Sequence, residues 1–308
     1  MYSMANLTPR QCQILRMVGK LGLATPDQLT RCFLAKTSRT LVYTECRLLA
    51  HQRLLSPVLM RDPDQPRGNA QITYKLGTRG YNELIKLGLV ADGEIVYPSA
   101  IRMKRGGPTL HYLEAHEPVI RAHELIRLEQ RQIEEGTRVN PLWKEKNLQP
   151  TLTMRFESES TLRRKPLKKD AFNKMPDAFV YFLQVNTKKE AAFLFEWDKA
   201  SISLERIRER LFAYRAIDQS PEYFERFHTH HLRVVWICPT QKRADDLRHL
   251  AENINGLSDP QADLFAFGTL LDENPIPFYF AKYWQINGGQ YVSLLSQTWK
   301  EQSWLRLL

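Results

Sequence analysis

The chain has 308 residues, 43% of them hydrophobic and 25% charged, with a formal net charge of +10. That length suits two domains, each able to bury a core. No apolar run is long enough to span a bilayer and Met1 to Arg10 lacks the apolar stretch of a signal peptide, so a membrane-spanning or exported protein is not expected and a cytoplasmic one is.

The charge is unevenly placed. Residues 1–90 hold 13 Lys and Arg against 5 Asp and Glu, a local excess of 8, and the chain beyond 112 is near balance. A basic excess gathered in one small domain points to a polyanion partner, most simply nucleic acid. Cys12, Cys32, Cys46 and Cys238 form no C-x-x-C pair and fall on apolar stretches, so free, buried thiols are expected rather than a zinc site or disulfides.

Thr8-Pro9-Arg10-Gln11 is a helix start, with a threonine cap, proline in the first turn and a glutamine that can cap back. Ile14, Leu15, Val18 and Leu21 continue it as an apolar stripe, and Gly22 ends it. Thr25-Pro26-Asp27-Gln28 repeats the start signal, and Leu29, Cys32 and Phe33 mark a short second helix. A third helix is expected from about Ser38 to Arg53, with Leu41, Cys46, Leu48 and Leu49 inward. Next come a strand-like Leu54–Val58, a polar loop Arg61–Asn69, a second strand Gln71–Leu76 and a helix opening at Gly77-Thr78-Arg79-Gly80. Three helices followed by a hairpin describe a winged helix-turn-helix over residues 1–90. In such domains the third helix enters the major groove and the wing touches backbone. The candidate DNA-facing residues are Thr37, Ser38, Arg39, Thr40, Tyr43, Thr44 and Arg47 on the helix and Arg67 and Lys75 on the wing. Arginine at such positions reaches guanine edges or phosphates.

Residues 91–112, with Pro98, Gly106, Gly107 and Pro108, read as a linker. A second domain is expected over 113–289. Its first helix carries Leu113, His116, Val119, Ile120, His123, Leu125, Ile126 and Leu128. Strands follow at 151–156, 177–183 and 191–197, a helix at 202–218, a strand at 233–238, a helix at 240–254 and a strand at 263–267. This α-β-β-β-α-β-α-β order gives a mixed α+β (α/β) fold, a sheet with crossover helices of the restriction-endonuclease-like type. Between the first two strands stand Arg163, Arg164, Lys165, Lys168, Lys169 and Lys174, a hairpin tip suited to phosphates. His228, His230 and His231 lack acidic or cysteine partners at ligand spacing and read as a surface loop.

Met175-Pro176-Asp177 and Phe195-Glu196-Trp197-Asp198-Lys199 carry the chemistry. Asp177 starts one strand, and Glu196 and Asp198 end the next on one face. Three such carboxylates suit Mg²⁺ or Mn²⁺, which would generate hydroxide at a scissile phosphate, with Glu124 a further candidate ligand. This is the layout of a PD-(D/E)xK nuclease, with Asp177, Glu196, Asp198 and Lys199 as the catalytic set. The lysine belongs two residues after the glutamate. Asp198 stands there, Lys199 is one residue late, and only a bulge at Lys199 or a cation from Arg206 or Arg210 would replace it. Without that cation the domain is a scaffold that holds DNA without cutting it.

The chain resembles the replication-relaxation family, bacterial and mobile-element proteins that pair a winged helix with a nuclease-like domain. The matching residues are Tyr74–Gly80, His116 to His123, Pro176-Asp177, Phe195–Asp198, the Arg210…Tyr214 pair and Arg233–Thr240, within about residues 7–285. The resemblance implies a role in plasmid or element maintenance, replication or transfer. It is more distantly similar to endonuclease subunits of cut-and-paste transposases. The sequence therefore reads as a two-domain protein that binds double-stranded DNA. Two alternatives stay open, an Mg²⁺-dependent endonuclease and a transcriptional regulator. The tail, 290–308, holds Tyr291, Leu294, Leu295, Trp299, Trp304, Leu305, Leu307 and Leu308 and reads as an apolar helix that caps the fold or binds a protein partner or a second copy.

Overall fold

The computed structural model describes residues 7–32, 37–60, 71–91, 94–95, 97–98, 107–134, 152–164, 175–185, 188–218, 220–255, 264–270 and 275–295. They form a mixed α+β protein that divides into two compact units, Met1–Ile120 with Glu157–Arg164, and Arg121–Phe156 with Lys165–Leu308.

The first unit begins with α1 (Pro9–Leu21), α2 (Pro26–Cys32) and α3 (Arg39–His51). The capping signals act as the sequence suggests. Thr8 Oγ1 accepts from the Gln11 backbone at 3.2 Å, and Gln11 Oε1 accepts from the Thr8 backbone at 3.0 Å. Thr25 and Gln28 repeat this reciprocal box ahead of α2. Gly22 ends α1 with a positive φ of 82° and donates its N–H to Val18 O, a conformation that favours glycine. Ile14, Leu15, Val18 and Leu21 are buried. On α3 the buried face is Val42, Cys46 and Leu49, whereas Leu41 is half-buried and Leu48 is 45% exposed. Cys46 and Leu49 are buried as expected, and Val42 stands in for Leu41 and Leu48, because spacings of four and three from Val42 select a different stripe than spacings from Leu41.

Strands β1 (Leu55–Met60) and β2 (Gln71–Leu76) pair antiparallel, from Leu55↔Leu76 to Met60↔Gln71. Helix α4 (Thr78–Lys86) follows directly. The turn between β2 and α4 runs so close to the end of α3 that a Cβ on Gly77 would meet Arg53 O at 2.5 Å, and one on Gly80 would meet Leu54 O at 2.1 Å. Part of the expected linker is regular structure: α5 (Gly107–Glu114) is helical, and Leu113 is buried with Leu23 and Met60. Tyr112 donates to Leu21 O at 2.8 Å, and Gln28 donates to Leu113 O at 2.9 Å. An apolar Tyr112-Leu113 pair supplies the packing that the Pro/Gly punctuation conceals.

Helix α6 (Glu117–Glu134) leads to β3 (Leu152–Ser158), the short α7 (Glu159–Leu162), β4 (Ala178–Gln184) and β5 (Lys189–Trp197). Then come α8 (Leu204–Asp218), α9 (Pro221–Phe227), β6 (Arg233–Cys238), α10 (Gln241–Asn255), β7 (Phe265–Thr269), α11 (Pro275–Phe280), β8 (Trp284–Gln285) and β9 (Tyr291–Val292). The strands make a seven-stranded sheet in the order β3-β4-β5-β6-β7-β8-β9. β4 and β5 are antiparallel, β5, β6 and β7 are mutually parallel, and β8 and β9 return antiparallel. Parallel neighbours need crossovers, which α8 and α10 supply. Phe193, Leu194 and Phe195, Val234 to Ile237 and Phe265 to Phe267 are buried, as expected for strands covered on both faces.

Four short elements, α7, α9, α11 and β8, add to the expected order. The start of the expected apolar tail helix is instead the edge strand β9, because Tyr291 and Val292 pair with Gln285 and Trp284. Residues 296–308 lie outside the described residues. No helix among the described residues is long and apolar enough to cross a membrane.

Candidate functional site

The acidic residues gather where β4 begins and β5 ends. Ala178 pairs with Phe195, and the Asp177 N–H donates to Phe195 O at 2.9 Å, so Asp177 lies beside the last residues of β5. Its Oδ2 accepts the Trp197 N–H at 2.7 Å. Glu196 and Trp197 register with Trp236 and Ile237 of β6, and the ladder continues past β5 with Asp198 N donating to Ile237 O at 2.9 Å. The sheet thus brings all three expected carboxylates to one end. All three are buried, at 0% exposure for Asp177 and 1% for Glu196 and Asp198.

A buried carboxylate must be neutralised or bonded. Glu196 is held from α8: Arg210 Nη1 stands 3.2 Å from Oε2, and the Tyr214 hydroxyl donates to Oε1. Arg210 and Tyr214 are four residues apart, so both leave one face of the helix. Burial pushes the Tyr214 hydroxyl well above its ordinary pKa, and the negative charges of Glu196 and Asp177 add to that rise, which keeps it a donor. Asp198 is held from α10: Arg243 Nε approaches Oδ2 at 2.7 Å, while Oδ1 accepts the Ala200 N–H at 3.1 Å. Arg243 also donates to Ile202 O at 3.0 Å, so one guanidinium ties α10 to Asp198 and to the segment that enters α8.

This geometry answers the question of the absent lysine. Arg210 reaches Glu196, and Arg206 is exposed at the start of α8. Lys199 is exposed beyond the strand end, in a turn where Ala200 has a φ of 55°. The ladder runs through Asp198 and is broken beyond it by the turn at Ala200. Asp198 folds back on its own backbone two residues ahead, as aspartate does in turns. The second cation is Arg243, which the sequence reading missed. Its signal was available: Pro239-Thr240-Gln241 starts a helix directly after the strand beside Glu196, which brings the first turn of α10 next to the β5 end. Glu124 lies on α6, half-buried.

These carboxylates do not fit a divalent cation as they stand. Both oxygens of Glu196 and both of Asp198 accept from protein donors, and among the described residues no group of three His, Cys, Asp or Glu side chains could hold a metal ion. Glu196 and Asp198, two of the three residues expected to hold Mg²⁺ or Mn²⁺ with Asp177, are each paired with an arginine, Arg210 and Arg243.

A second set of candidate residues lies on α3. Ser38 caps the helix and accepts the Leu41 N–H. Arg39, Thr40, Thr44, Arg47 and His51 are exposed, and Tyr43 is half-buried. Arg39 pairs with Asp27 of α2 at 3.3 Å, a contact exposed on both sides, 69% and 50%. Lys75 sits half-buried in β2, opposite Ser56. Arg67 lies outside the described residues, as do Lys165, Lys168 and Lys169. Arg163 and Arg164 are exposed directly after α7, where Arg163 bonds Glu159 and Arg164 donates to Ile95 O.

The family model for replication-relaxation matches residues 15–229. The chain belongs to the replication-relaxation family. The match spans α1 through α9 and so includes both the exposed face of α3 and the ends of β4 and β5. No curated protein and no solved structure matches the chain. The matched span includes the Tyr74–Gly80 turn and Asp177, Glu196 and Asp198. The thiols fit the expectation of free cysteines, with Cys32, Cys46 and Cys238 buried and Cys12 half-buried.

Proposed function

We propose that this replication-relaxation protein binds duplex DNA of a plasmid or mobile element through a winged helix, with a nuclease-like second domain that holds rather than cuts. The observation that carries the reading is the outward face of α3. Arg39, Thr40, Thr44 and Arg47 are exposed on one side of a capped helix, whose other side, Val42, Cys46 and Leu49, is buried. Helix α3 is followed by the antiparallel pair β1–β2, in the place of a wing, and this part of the chain holds the charge excess. Such a helix enters the major groove with arginines on base edges or phosphates. The Arg39–Asp27 pair is a surface contact of small worth, so Arg39 can exchange it for phosphate.

A mixed sheet with three carboxylates at the ends of β4 and β5 supports the nuclease-like reading, and the pairing of Glu196 with Arg210 and of Asp198 with Arg243 supports a domain that holds. An oxygen that already accepts an arginine N–H at 2.7 Å is a poor metal ligand until the arginine leaves. Such pairs lock α8 and α10 to the sheet, and that supports a scaffold. To test the reading, supercoiled plasmid is incubated with the protein and Mg²⁺ or Mn²⁺, beside an Asp177→Ala variant. The expected result is retarded, uncut plasmid with both proteins. Nicked circles from the unaltered protein alone would establish an endonuclease instead.

A further inference from the structure

A groove of about 570 Å³ opens on the second unit, away from the carboxylates. Ala191, Ala192 and Phe193 of β5 line it, near the start of the strand whose far end bears Glu196. Leu232, Val292, Leu294 and Leu295 complete an apolar floor. The volume lies within the range of small-ligand sites.

The rim has a definite chemistry. His231, Arg233 and Lys282 supply cations or donors. The acidic Glu190 also lines the groove, and its carboxylate accepts the Thr229 hydroxyl at 3.0 Å. Tyr291 is 52% exposed, far more than an aromatic ring in an interior strand. Its position is fixed nonetheless. Gln285 Nε2 donates to the Tyr291 hydroxyl at 2.8 Å, and Gln241 of α10 donates to Gln285 Oε1 at 3.2 Å. The hairpin beneath is anchored by the buried Trp284, whose indole donates to Phe278 O at 2.8 Å. Leu295 N donates to Tyr279 O at 2.8 Å and fixes the opposite wall. A rigid, exposed ring beside cations in a concave site is the arrangement that stacks a base and holds its phosphate.

We infer that this groove binds a nucleotide unit of single-stranded DNA, with the base on Tyr291 and the backbone phosphate on Lys282. A base that stacks on a protein ring has left the base stack of a duplex, so the ligand is a strand already open. This site is separate from the exposed face of α3, and the inference does not rest on duplex docking there.

The test measures fluorescence anisotropy of labelled oligo(dT) and of a labelled duplex with the full chain. Tyr291→Ala and Lys282→Glu are each expected to weaken strand binding about tenfold, the size of one lost stack or phosphate contact, while duplex affinity stays at the wild-type value. Tyr291→Phe keeps the ring and is expected to bind the strand nearly as the unaltered protein does. Unchanged strand affinity in both of the first two variants would overturn the assignment. So would a parallel fall in duplex affinity, or competition by free dTMP as effective as by the strand.

Discussion

Asp198 meets its partner Arg243 across 45 positions of sequence, with the carboxylate side chain at 0% exposure and the guanidinium at 15%. Removing one member of a buried pair strands the other charge. Arg243→Ala is therefore expected to cost about 3–5 kcal/mol, read as a fall in the denaturant midpoint of the second unit. A loss below about 1 kcal/mol would mean that the pair behaves as a surface contact. The Cys46 thiol is pushed up to about 12, first by burial and then by the charge of Glu45, and burial pushes Cys238 up as well. Neither should react with Ellman's reagent at pH 8 until the protein unfolds, and prompt labelling of either in the folded state would contradict their burial. Glu94 shows the opposite sign. Burial alone would raise its pKa, but the Lys20 hydrogen bond, the Ala91 N–H and the charges of Lys20 and Arg16 bring it below the ordinary value. A carboxyl depressed in the folded state adds stability above its unfolded pKa and loses it as pH falls through the lower folded value. Acid unfolding below about pH 4.5 should therefore be shallower in Glu94→Gln than in the unaltered protein; identical acid limbs would refute the linkage.

Among the elements, the turn from β2 into α4 makes the sharpest demand on sequence. Gly80 lies where any Cβ would overlap Leu54 O, so Gly80→Ala must push α4 off the end of α3. The expected cost is about 1–3 kcal/mol, measurable as a lower Tm; a neutral effect would show that this approach is loose. Most elements here announce themselves in the sequence. Thr8 and Thr25 start helices by boxes that depend only on near neighbours, and the apolar runs of β4, β5 and β6 are continuous because both faces are covered. Other features are illegible for physical reasons. Leu41 and Val42 are both apolar, so neither composition nor period alone picks the inward stripe of α3. The stretch at α7 looks like a polar hairpin, yet Ser158 donates to Lys20 O at 2.7 Å, a contact 138 positions away. The same holds for the site. Asp177, Glu196 and Asp198 could be placed together from strand order, and Arg210 from helix spacing. For Arg243 only the helix start at Pro239-Thr240-Gln241 is legible, and its pairing with Asp198 depends on β6 lying parallel beside β5.

Over the whole molecule, we propose duplex contact for the first unit and a structural role for the buried carboxylates of the second. The charge excess in residues 1–90 is the long-range part of that claim, since each phosphate neutralised by Lys or Arg releases counterion and steepens the salt dependence. The most direct measurement is the affinity of the full chain for duplex DNA across a salt series, beside the Arg39→Ala plus Arg47→Ala variant. The expected result is loss of tight binding near physiological salt, with the slope of log affinity against log salt reduced by about 2, one for each lost phosphate contact. Equal affinity and an equal slope in the two proteins would contradict the placement of α3 on DNA.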